Sequence, residues 1–305
     1  MGYGLGRKFL RPSAYWKATT RFLNRRILPG FEALLGGGAG ALATRPPTFI
    51  IGPPRCGSTL AIQVMTEALD VGYVSNSHAI WYGAPAVAER ILRWTRRRVP
   101  SDFRSDLGRT EGRHSPSECP DWWYRFFPRH PAYVRPGSLD GIAKRGFRYS
   151  VTALTSAWSR PLVFKNVYAS LRIHPIFESI PESIFIVVRR NEEDVARSLL
   201  EARMREFGST EPWLSVEPPD VDVLRQLPPT AQVRGQVRSI YDLIGADLRR
   251  AGVPARQILE IGYEALCSDP AGCADLFRDA LLRCGARVAR RRVVWPMLQA
   301  RGMVA

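Results

Sequence analysis

Residues 48–59 place the strongest constraint on what this chain can fold into. A short apolar run, TFII at 48–51, leads directly into a glycine-rich loop, GPPRCGST at 52–59, and apolar residues then recur at helical spacing up to residue 69. The unpaired backbone N–H groups at the start of a helix, and the positive end of its dipole, face the preceding loop. A strand, a loop and a helix in this order therefore predict an anion-binding site at the edge of a sheet.

The loop differs from that of nucleotide triphosphatases at one position. Its glycines have the Walker spacing G-x-x-x-x-G-K-[ST], but Ser58 stands where the lysine belongs. The cation lies three residues earlier, at Arg55, where it can hold a tetrahedral anion together with the hydroxyl groups of Ser58 and Thr59. The alternative is a tight proline-rich turn with an incidental arginine.

The remaining periodicity predicts an α/β fold with a central parallel sheet and helices on both faces. Nearly continuous apolar runs are typical of strands buried on both sides, and here they alternate with helical patterns. The predicted strands are TFII (48–51), LVF (162–164), IFIVV (184–188) and ILEI (258–261), and the predicted helices cover 58–69, 193–206, 231–251 and 271–283. Residues 100–160 have weak periodicity and ten aromatic side chains, which predicts an aromatic-rich inserted lid over the sheet.

A second anion site is predicted where the strand at 184–188 ends. Arg190 follows this strand at the edge where open α/β sheets bind ligands, and Asn191 is placed to cap the next helix. Ser198 lies about two turns into that helix and can face the same crevice. The alternative is a surface ion pair between Arg190 and the acidic residues of the first helical turn.

These segments together resemble the PAPS-dependent sulfotransferase family, of the bacterial P-loop type. The sequence PPRCGST is similar to the family's 5′-phosphosulfate loop, and the arginine and serine of the second site match its 3′-phosphate site. ILEIGYEALCSDPAG, at 258–272, is similar to a family strand followed by a tyrosine near the adenine; the alternative for this tyrosine is a core position. The resemblance implies P-loop nucleotide-binding topology and 3′-phosphoadenosine 5′-phosphosulfate (PAPS) as donor substrate. The donor-binding residues it implies are Pro54, Arg55, Cys56, Gly57, Ser58, Thr59, Arg190, Ser198 and Tyr263.

The resemblance also implies the residues of the transfer step, for which no metal is required. Arg55 would stabilise the departing phosphate, and Lys165 matches a family lysine that contacts the sulfuryl group, unless it is simply a solvated lysine at a strand end. In one branch a histidine two residues after this lysine is the base, but Val167 stands there in this chain. The candidate bases are, in order of preference, His78, His114 and Glu118. The family's C-terminal Arg-Lys-Gly element is not recognisable, and Arg290, Arg291 or Arg292 are its candidate substitutes.

We predict two parts of the chain. Residues 1–47 form a basic amphipathic segment with a Gly-rich linker, and residues 48–305 form the sulfotransferase domain, with 100–160 as an acceptor-site insertion. Aromatic side chains placed to stack on sugar rings favour a glycan or glycolipid hydroxyl as acceptor, with a phenolic or lipid natural product as the alternative. These aromatic residues are Trp81, Tyr82, Trp122, Trp123 and Tyr124. The alternatives from other classes are a P-loop kinase and a basic nucleic-acid-binding protein, neither of which explains both arginine sites.

Charge and cysteine content bear on partners and location. The formal charge of +16 favours anionic ligands or surfaces without distinguishing among them, and the two arginine sites lead us to expect no nucleic-acid partner. The five cysteines include no C-x-x-C pair, which predicts reduced thiols in a cytoplasmic protein. Residues 1–35 are expected either to contact an anionic membrane at its inner face or to pack on the domain.

Overall fold

The fold is built on one parallel sheet. A computed structural model describes residues 19–35, 40–95 and 100–298, so residues 1–18 of the predicted basic segment, 36–39 of its linker and the arginine run at 96–98 lie outside the described residues. The strands are β1 Thr48–Ile51, β2 Gly72–Tyr73, β3 Leu162–Lys165, β4 Ile184–Arg189 and β5 Ile258–Gly262. Their order is β2-β3-β1-β4-β5, and each neighbouring pair is parallel.

Four of the five strands coincide with the predicted apolar runs. β1, β3 and β4 lie at the centre of the sheet, and all their residues except Arg189 are buried, which is why they are apolar without alternation. The short edge strand β2 is absent from the prediction because it contains only Gly72 and Tyr73 and has no apolar run of its own. The predicted α/β fold class is confirmed.

Helices cover both faces of this sheet. The described α-helices are α1 Leu28–Leu35, α2 Ala41–Thr44, α3 Ser58–Ala68, α4 Asn76–Ile80, α5 Pro85–Thr95, α6 Pro120–Trp123, α7 Gly141–Trp158, α8 Ile173–Ser179, α9 Glu192–Phe207, α10 Val221–Leu224, α11 Pro229–Arg250, α12 Tyr263–Ser268 and α13 Pro270–Arg283. The four predicted helices are confirmed as α3, α9, α11 and α13, with ends shifted by one or two residues. A π-helical turn at Leu23–Ile27 and 3-10 turns at Val167–Leu171 and Ala255–Gln257 complete the list. Among the described residues, no helix is both long and apolar enough to cross a membrane.

The aromatic residues of the segment 100–160 form much of the core on one face of the sheet. Trp122 stacks on Phe164 of β3 with ring centroids 5.3 Å apart, and Phe164 stacks in turn on Phe49 of β1 at 5.2 Å. Trp122 and Trp123 are 0% and 1% exposed. The expectation that this tryptophan pair stacks on an acceptor sugar is therefore wrong, because both rings are enclosed by the sheet and by Phe147 of α7.

Helix α7 is a second difference from the sequence expectation within this segment. It runs for 18 residues, and Asp140 caps it by accepting a hydrogen bond from the backbone N–H of Ala143. Its buried positions include Phe147, Val151 and Leu154, a spacing of three and four residues that places them on one helix face. The segment therefore combines a core helix with a loop, residues 102–110, that lines the cleft at the sheet edge.

Candidate functional site

The loop after β1 is shaped by residues with positive backbone φ. Arg55 has φ 72° and Gly57 has φ 101°, and the turn ends at Ser58, the first residue of α3. Gly57 is required for a second reason, because a Cβ there would lie 2.3 Å from the Cδ2 atom of Tyr263. At the start of the loop, Gly52 exchanges two hydrogen bonds of 2.9 Å with the hydroxyl of Ser170. The loop is therefore anchored at both ends, and the amino end of α3 faces the cleft.

The predicted donor-binding residues of this loop differ in whether their side chains reach the cleft. Pro54, Arg55, Gly57, Ser58 and Thr59 all line the cleft. The side chain of Cys56 is instead fully buried in the core beneath the loop, and burial raises the pKa of its thiol. The contribution of Cys56 to a bound anion is therefore restricted to its backbone.

The two predicted anion sites meet in one arginine cluster. The Nε atom of Arg55 donates to the Oγ atom of Ser198 at 3.2 Å, and the Nη1 atom of Arg190 donates to the backbone carbonyl of Arg55 at 3.1 Å. The Arg190 guanidinium also lies over the ring of Tyr263, 4.3 Å from its centroid. The cluster thus joins the loop after β1 to the loop after β4, and residues 55 and 198 come together although they are 143 positions apart.

Two of the acidic residues after β4 pair with arginines of α11. Glu192 and Glu193 form ion pairs with Arg238 and Arg234 of α11, at 3.7 and 2.8 Å. Asn191 caps α9 as predicted, because its side-chain oxygen accepts hydrogen bonds from the backbone N–H groups of residues 193 and 194. The third acid of this turn, Asp194, pairs with Arg197 of α9 at 3.2 Å.

A lysine–glutamate pair lies on the other side of the amino end of α3. Lys165, at the end of β3, is 5% exposed, and its Nζ atom donates to the Oε1 atom of Glu118 and, at 3.4 Å, to the backbone carbonyl of Gly108. The hydroxyl of Thr59 also donates to that carbonyl, at 3.5 Å. Asn166 donates to the backbone carbonyl of Glu118 at 3.1 Å. Lys165 is thus a buried cation with a carboxylate partner, not a solvated lysine.

Both groups open into one large cleft of about 1050 Å³. Its floor is formed by the loop after β1, residues 52–57, which we call the phosphate-type loop, together with the arginine cluster and the lysine–glutamate pair. Its walls include residues 102–110, Tyr168, Leu214 and residues 296–298. The charged residues that line it are Arg55, Arg104, Arg109, Lys165 and Arg190, with Asp102, Glu118 and Glu206. The excess of cations at a helix amino end makes the cleft suited to an anionic ligand.

A family model described as the sulfotransferase family matches residues 46–277, which is most of the chain and contains every element that forms this cleft floor. The chain belongs to the sulfotransferase family. It is therefore a transferase, and the cleft is its candidate active site.

Solved structures with the same fold are bacterial sulfotransferases. The sulfotransferase STF9 from Mycobacterium avium is 14% identical, with a TM-score of 0.56, and the match covers 91% of this chain and 75% of that one. The sulfotransferase STF1 from Mycobacterium tuberculosis H37Rv is 13% identical, with a TM-score of 0.50, over 89% of this chain and 80% of that one. At this level of identity the similarity shows the fold alone. A comparison with curated protein sequences gives no significant match.

Of the three candidate bases in this sulfotransferase, Glu118 is the one that lines the cleft. His78 is 0% exposed; its Nδ1 atom lies 2.7 Å from the hydroxyl of Ser75 and its Nε2 atom 3.2 Å from Glu89. Together with Ser75 it forms the capping box of α4, which is a structural arrangement. The half-buried His114 is likewise not brought to the cleft.

The C-terminal arginines lie at the far end of α3 from the phosphate-type loop. Arg291 forms an ion pair with Asp70 and donates to the backbone carbonyl of Thr66 at 3.0 Å, while Arg290 pairs with Asp275 at 2.5 Å. Because α3 has 11 residues, this position is about 16 Å along the helix from Ser58. The expectation that one of these two arginines replaces the missing C-terminal element is therefore wrong. The sulfotransferase instead brings residues 296–298 to the cleft wall.

The described residues contain no group of three or more His, Cys, Asp or Glu side chains placed to hold a metal ion. Sequence reasoning missed two residues that contact the lysine–glutamate pair or its neighbours: Gly108, through its backbone carbonyl, and Asn166, through its side-chain amide. A Cβ at Gly108 would lie 3.3 Å from the Nζ atom of Lys165 and 3.8 Å from the Oε1 atom of Glu118. Neither residue type carries a chemical signature in sequence, so only their spatial neighbours reveal them.

Proposed function

We propose that this sulfotransferase moves a sulfuryl group from PAPS to an acceptor hydroxyl. The observation that carries the proposal is the arrangement around the amino end of α3. A cluster of two arginines and a serine lies on one side of it, and a buried lysine paired with a glutamate lies on the other, both open to the same cleft. A doubly anionic nucleotide and a proton acceptor for the reacting hydroxyl fit these two groups.

The donor would bind across both sides of the amino end of α3. The backbone N–H groups at the start of α3 and the hydroxyls of Ser58 and Thr59 would hold the 5′-phosphosulfate. The 3′-phosphate would bind at Arg190 and Ser198, with Arg55 close enough to both phosphates to contact either, and the ring of Tyr263 would lie near the adenine. Guanidinium groups suit this role because they bind phosphate oxygens in pairs. A ligand with only one phosphorylated end leaves part of this cation cluster unused.

The transfer step would be an in-line displacement at sulfur. The acceptor oxygen forms a bond to sulfur while the bond from sulfur to the bridging oxygen of the 5′-phosphate breaks. The products are a sulfate ester and 3′-phosphoadenosine 5′-phosphate. We assign the proton of the acceptor hydroxyl to the carboxylate of Glu118, and the neutralisation of charge on the sulfuryl and phosphate oxygens to Lys165 and Arg55. His78 is replaced in this role because the imidazole is enclosed between Ser75 and Glu89.

For the acceptor we retain the hydroxyl of a glycan or glycolipid. The cleft wall near Glu118 combines polar groups from Asn76, Thr110 and Ser117 with the ring of Tyr168, a mixture that suits a sugar face and its hydroxyls. The alternative is a phenolic or lipid natural product. A panel of acceptors of the two kinds, assayed with PAPS by mass of the sulfated product, separates these alternatives.

Titration calorimetry with two ligands tests the donor assignment. Wild type is expected to bind 3′-phosphoadenosine 5′-phosphate far more tightly than adenosine 5′-phosphosulfate, which lacks the 3′-phosphate. Loss of a charged hydrogen-bonding partner costs about 1.5–3 kcal/mol, so Arg190→Ala should weaken the first ligand by about 10- to 150-fold and the second by much less. Arg189→Ala is the matched control, since Arg189 pairs with Glu260 outside the cleft.

Three results would contradict the proposal. Equal losses for both ligands in Arg190→Ala would mean that this arginine does not read the 3′-phosphate. ATP bound as tightly as 3′-phosphoadenosine 5′-phosphate would favour the kinase alternative despite Ser58. A strong salt-dependent affinity for DNA, with no affinity for either nucleotide, would instead favour a nucleic-acid-binding protein.

A further inference from the structure

The N-terminal helical segment, residues 19–35, packs along residues 80–86. The Nδ2 atom of Asn24 donates to the carbonyl of Ile80 at 2.9 Å, and the Oδ1 atom of Asn24 accepts from the backbone N–H of Gly83 at 2.7 Å. Further along, the Oε1 atom of Glu32 accepts from the backbone N–H of Ala86 at 3.3 Å. Asn24 and Glu32 therefore face inward, and α5 continues directly from this contact.

The outward surface of these elements is apolar to an unusual degree. Trp94 and Ile91 of α5 are 79% and 65% exposed, and with the half-buried Val87 they follow the i, i+4, i+7 spacing of one helix face. Further apolar residues are exposed on the adjoining elements. We define the docking surface by its seven exposed apolar residues, Phe22, Ile27, Phe31, Ile80, Trp81, Ile91 and Trp94.

The exposed charges on the elements that carry the docking surface have a single sign. The exposed charged side chains of residues 19–35 and 76–95 are Arg21, Arg25, Arg26 and Arg93. The only carboxylates in these two ranges are Glu32 and Glu89, and both are 2% exposed. The sequence continues beyond α5 with three further arginines, at positions 96–98, outside the described residues. Elsewhere on the chain, as on α9 and α11, arginines are paired with exposed carboxylates.

We propose that the docking surface binds the surface of an anionic lipid membrane. Aromatic and aliphatic side chains bordered by arginines and lacking exposed acids are typical of interfacial helices that bury their apolar face at the headgroup level. Trp94 and Trp81 suit this depth because an indole has an apolar body and one polar N–H group. A protein surface of mixed charge would neutralise only some of the four arginines, whereas anionic headgroups neutralise all of them.

This inference goes beyond the sulfuryl transfer, and it differs from the expectation for residues 1–35 in its location. The surface is centred on Trp81 and α5, which the sequence expectation did not include, and residues 19–35 contribute one side of it. Its failure leaves the donor and acceptor assignments untouched, because none of its seven residues lines the cleft.

Vesicle co-sedimentation of the full chain tests the inference. The protein should bind vesicles of phosphatidylglycerol mixed with phosphatidylcholine, should bind vesicles of phosphatidylcholine alone at least tenfold more weakly, and should be released as ionic strength rises. Since an arginine at an anionic surface contributes about fivefold to partitioning, Arg25→Gln/Arg26→Gln should lower binding about 25-fold. Arg234→Gln/Arg238→Gln removes the same charge from α11 and should leave binding within about fivefold of wild type, since lost long-range attraction is screened.

A second pair of variants tests the apolar part. Ile91→Ser/Trp94→Ser should lower vesicle binding at least tenfold, whereas Val223→Ser, at a position that is 68% exposed between Asp222 and Leu224, should have no effect. Circular dichroism checks that each variant is folded. Quenching of wild-type fluorescence by brominated lipid that is reduced in Trp94→Phe would place this ring in the bilayer.

Three outcomes would overturn the inference. The first is absence of binding to the anionic vesicles. The second is an equal loss of vesicle binding in Arg25→Gln/Arg26→Gln and in Arg234→Gln/Arg238→Gln, which would mean a non-specific effect of net charge. The third is self-association of wild type in sedimentation velocity that Ile91→Ser/Trp94→Ser abolishes, which would make this face an interface between two copies of the chain.

Discussion

Replacement of Glu118 by glutamine tests the assignment of the base most directly. The change removes the negative charge and the proton affinity of the side chain but keeps its size and one acceptor oxygen. In the structure, Glu118 lines the cleft and accepts a hydrogen bond from the buried Lys165. The amide oxygen of the glutamine can still accept that bond, so the position of the lysine should be preserved.

The expected magnitudes differ sharply between catalysis and binding. Loss of a general base lowers turnover by about 10²- to 10⁴-fold, which is about 2.7–5.4 kcal/mol in activation free energy. Breaking a buried ion pair costs about 3–5 kcal/mol of stability, but Glu118 is 28% exposed and the hydrogen bond is retained. We therefore expect a stability loss below about 2 kcal/mol after discounting for solvent screening. Affinity for 3′-phosphoadenosine 5′-phosphate should stay within about threefold of wild type.

The assay combines steady-state kcat for an active acceptor, calorimetry with the nucleotide product, and urea unfolding. Glu206→Gln is the matched control, because Glu206 is also a cleft-lining carboxylate but is not paired with Lys165. Turnover of Glu118→Gln within about fivefold of wild type would refute the assignment of this base. A parallel loss of nucleotide affinity would show that Glu118 acts on donor binding instead.

Three further predictions concern stability and reactivity. Trp122→Ala should lower the free energy of unfolding by about 3–5 kcal/mol, because the ring is enclosed in the aromatic core, whereas Trp94→Ala should change it by less than about 0.5 kcal/mol; urea unfolding measures both. The Arg148 guanidinium donates to both oxygens of Glu182, at 2.8 and 2.7 Å, and holds the pKa of that carboxyl below its usual value. The stability from this pair is present above the ordinary carboxyl pKa and is lost as pH falls through the lowered pKa. Arg148→Gln should therefore lower the free energy of unfolding by up to about 1 kcal/mol at neutral pH and by less in acid. Thermal unfolding of both proteins over a series of pH values measures this, and a stability difference that does not change with pH would contradict it. Burial raises the pKa of the Cys119 thiol to about 12, so iodoacetamide should not label this thiol in the folded protein at pH 8. Peptide mass spectrometry detects the label, and rapid labelling would contradict the burial of Cys119.

Local sequence patterns predicted most of the sheet and the helices that carry the site. β1, β4 and α9 could be predicted because a buried parallel strand is apolar along its length, and because Asn191 and the acidic residues after it signal a helix start. Such signals depend only on neighbouring residues. β2 carries too few residues to show a pattern, and the core face of α7 was hidden by a segment rich in glycine and aromatic residues.

The same limit applies to the candidate site. Arg55 and Arg190 could be singled out in sequence because each stands at the end of an apolar run, where the chain leaves the sheet at its ligand-binding edge. Histidine was a reasonable expectation for the base, because its ordinary pKa suits proton transfer. The role of His78 was misjudged since nothing in its local sequence shows that Ser75 and Glu89 enclose it.

The sequence by itself determined that the chain has a strand, an anion-binding loop and a helix in succession, with a second cationic site after a later strand. Only the tertiary structure decided which distant side chains meet: Arg55 with Ser198, Lys165 with Glu118, and the tryptophan pair with the strands rather than with a ligand. The reason is physical. Periodicity and capping arise from interactions within a few residues, whereas these contacts arise when separate elements pack, and the burial and charge partners of a side chain exist only after that packing.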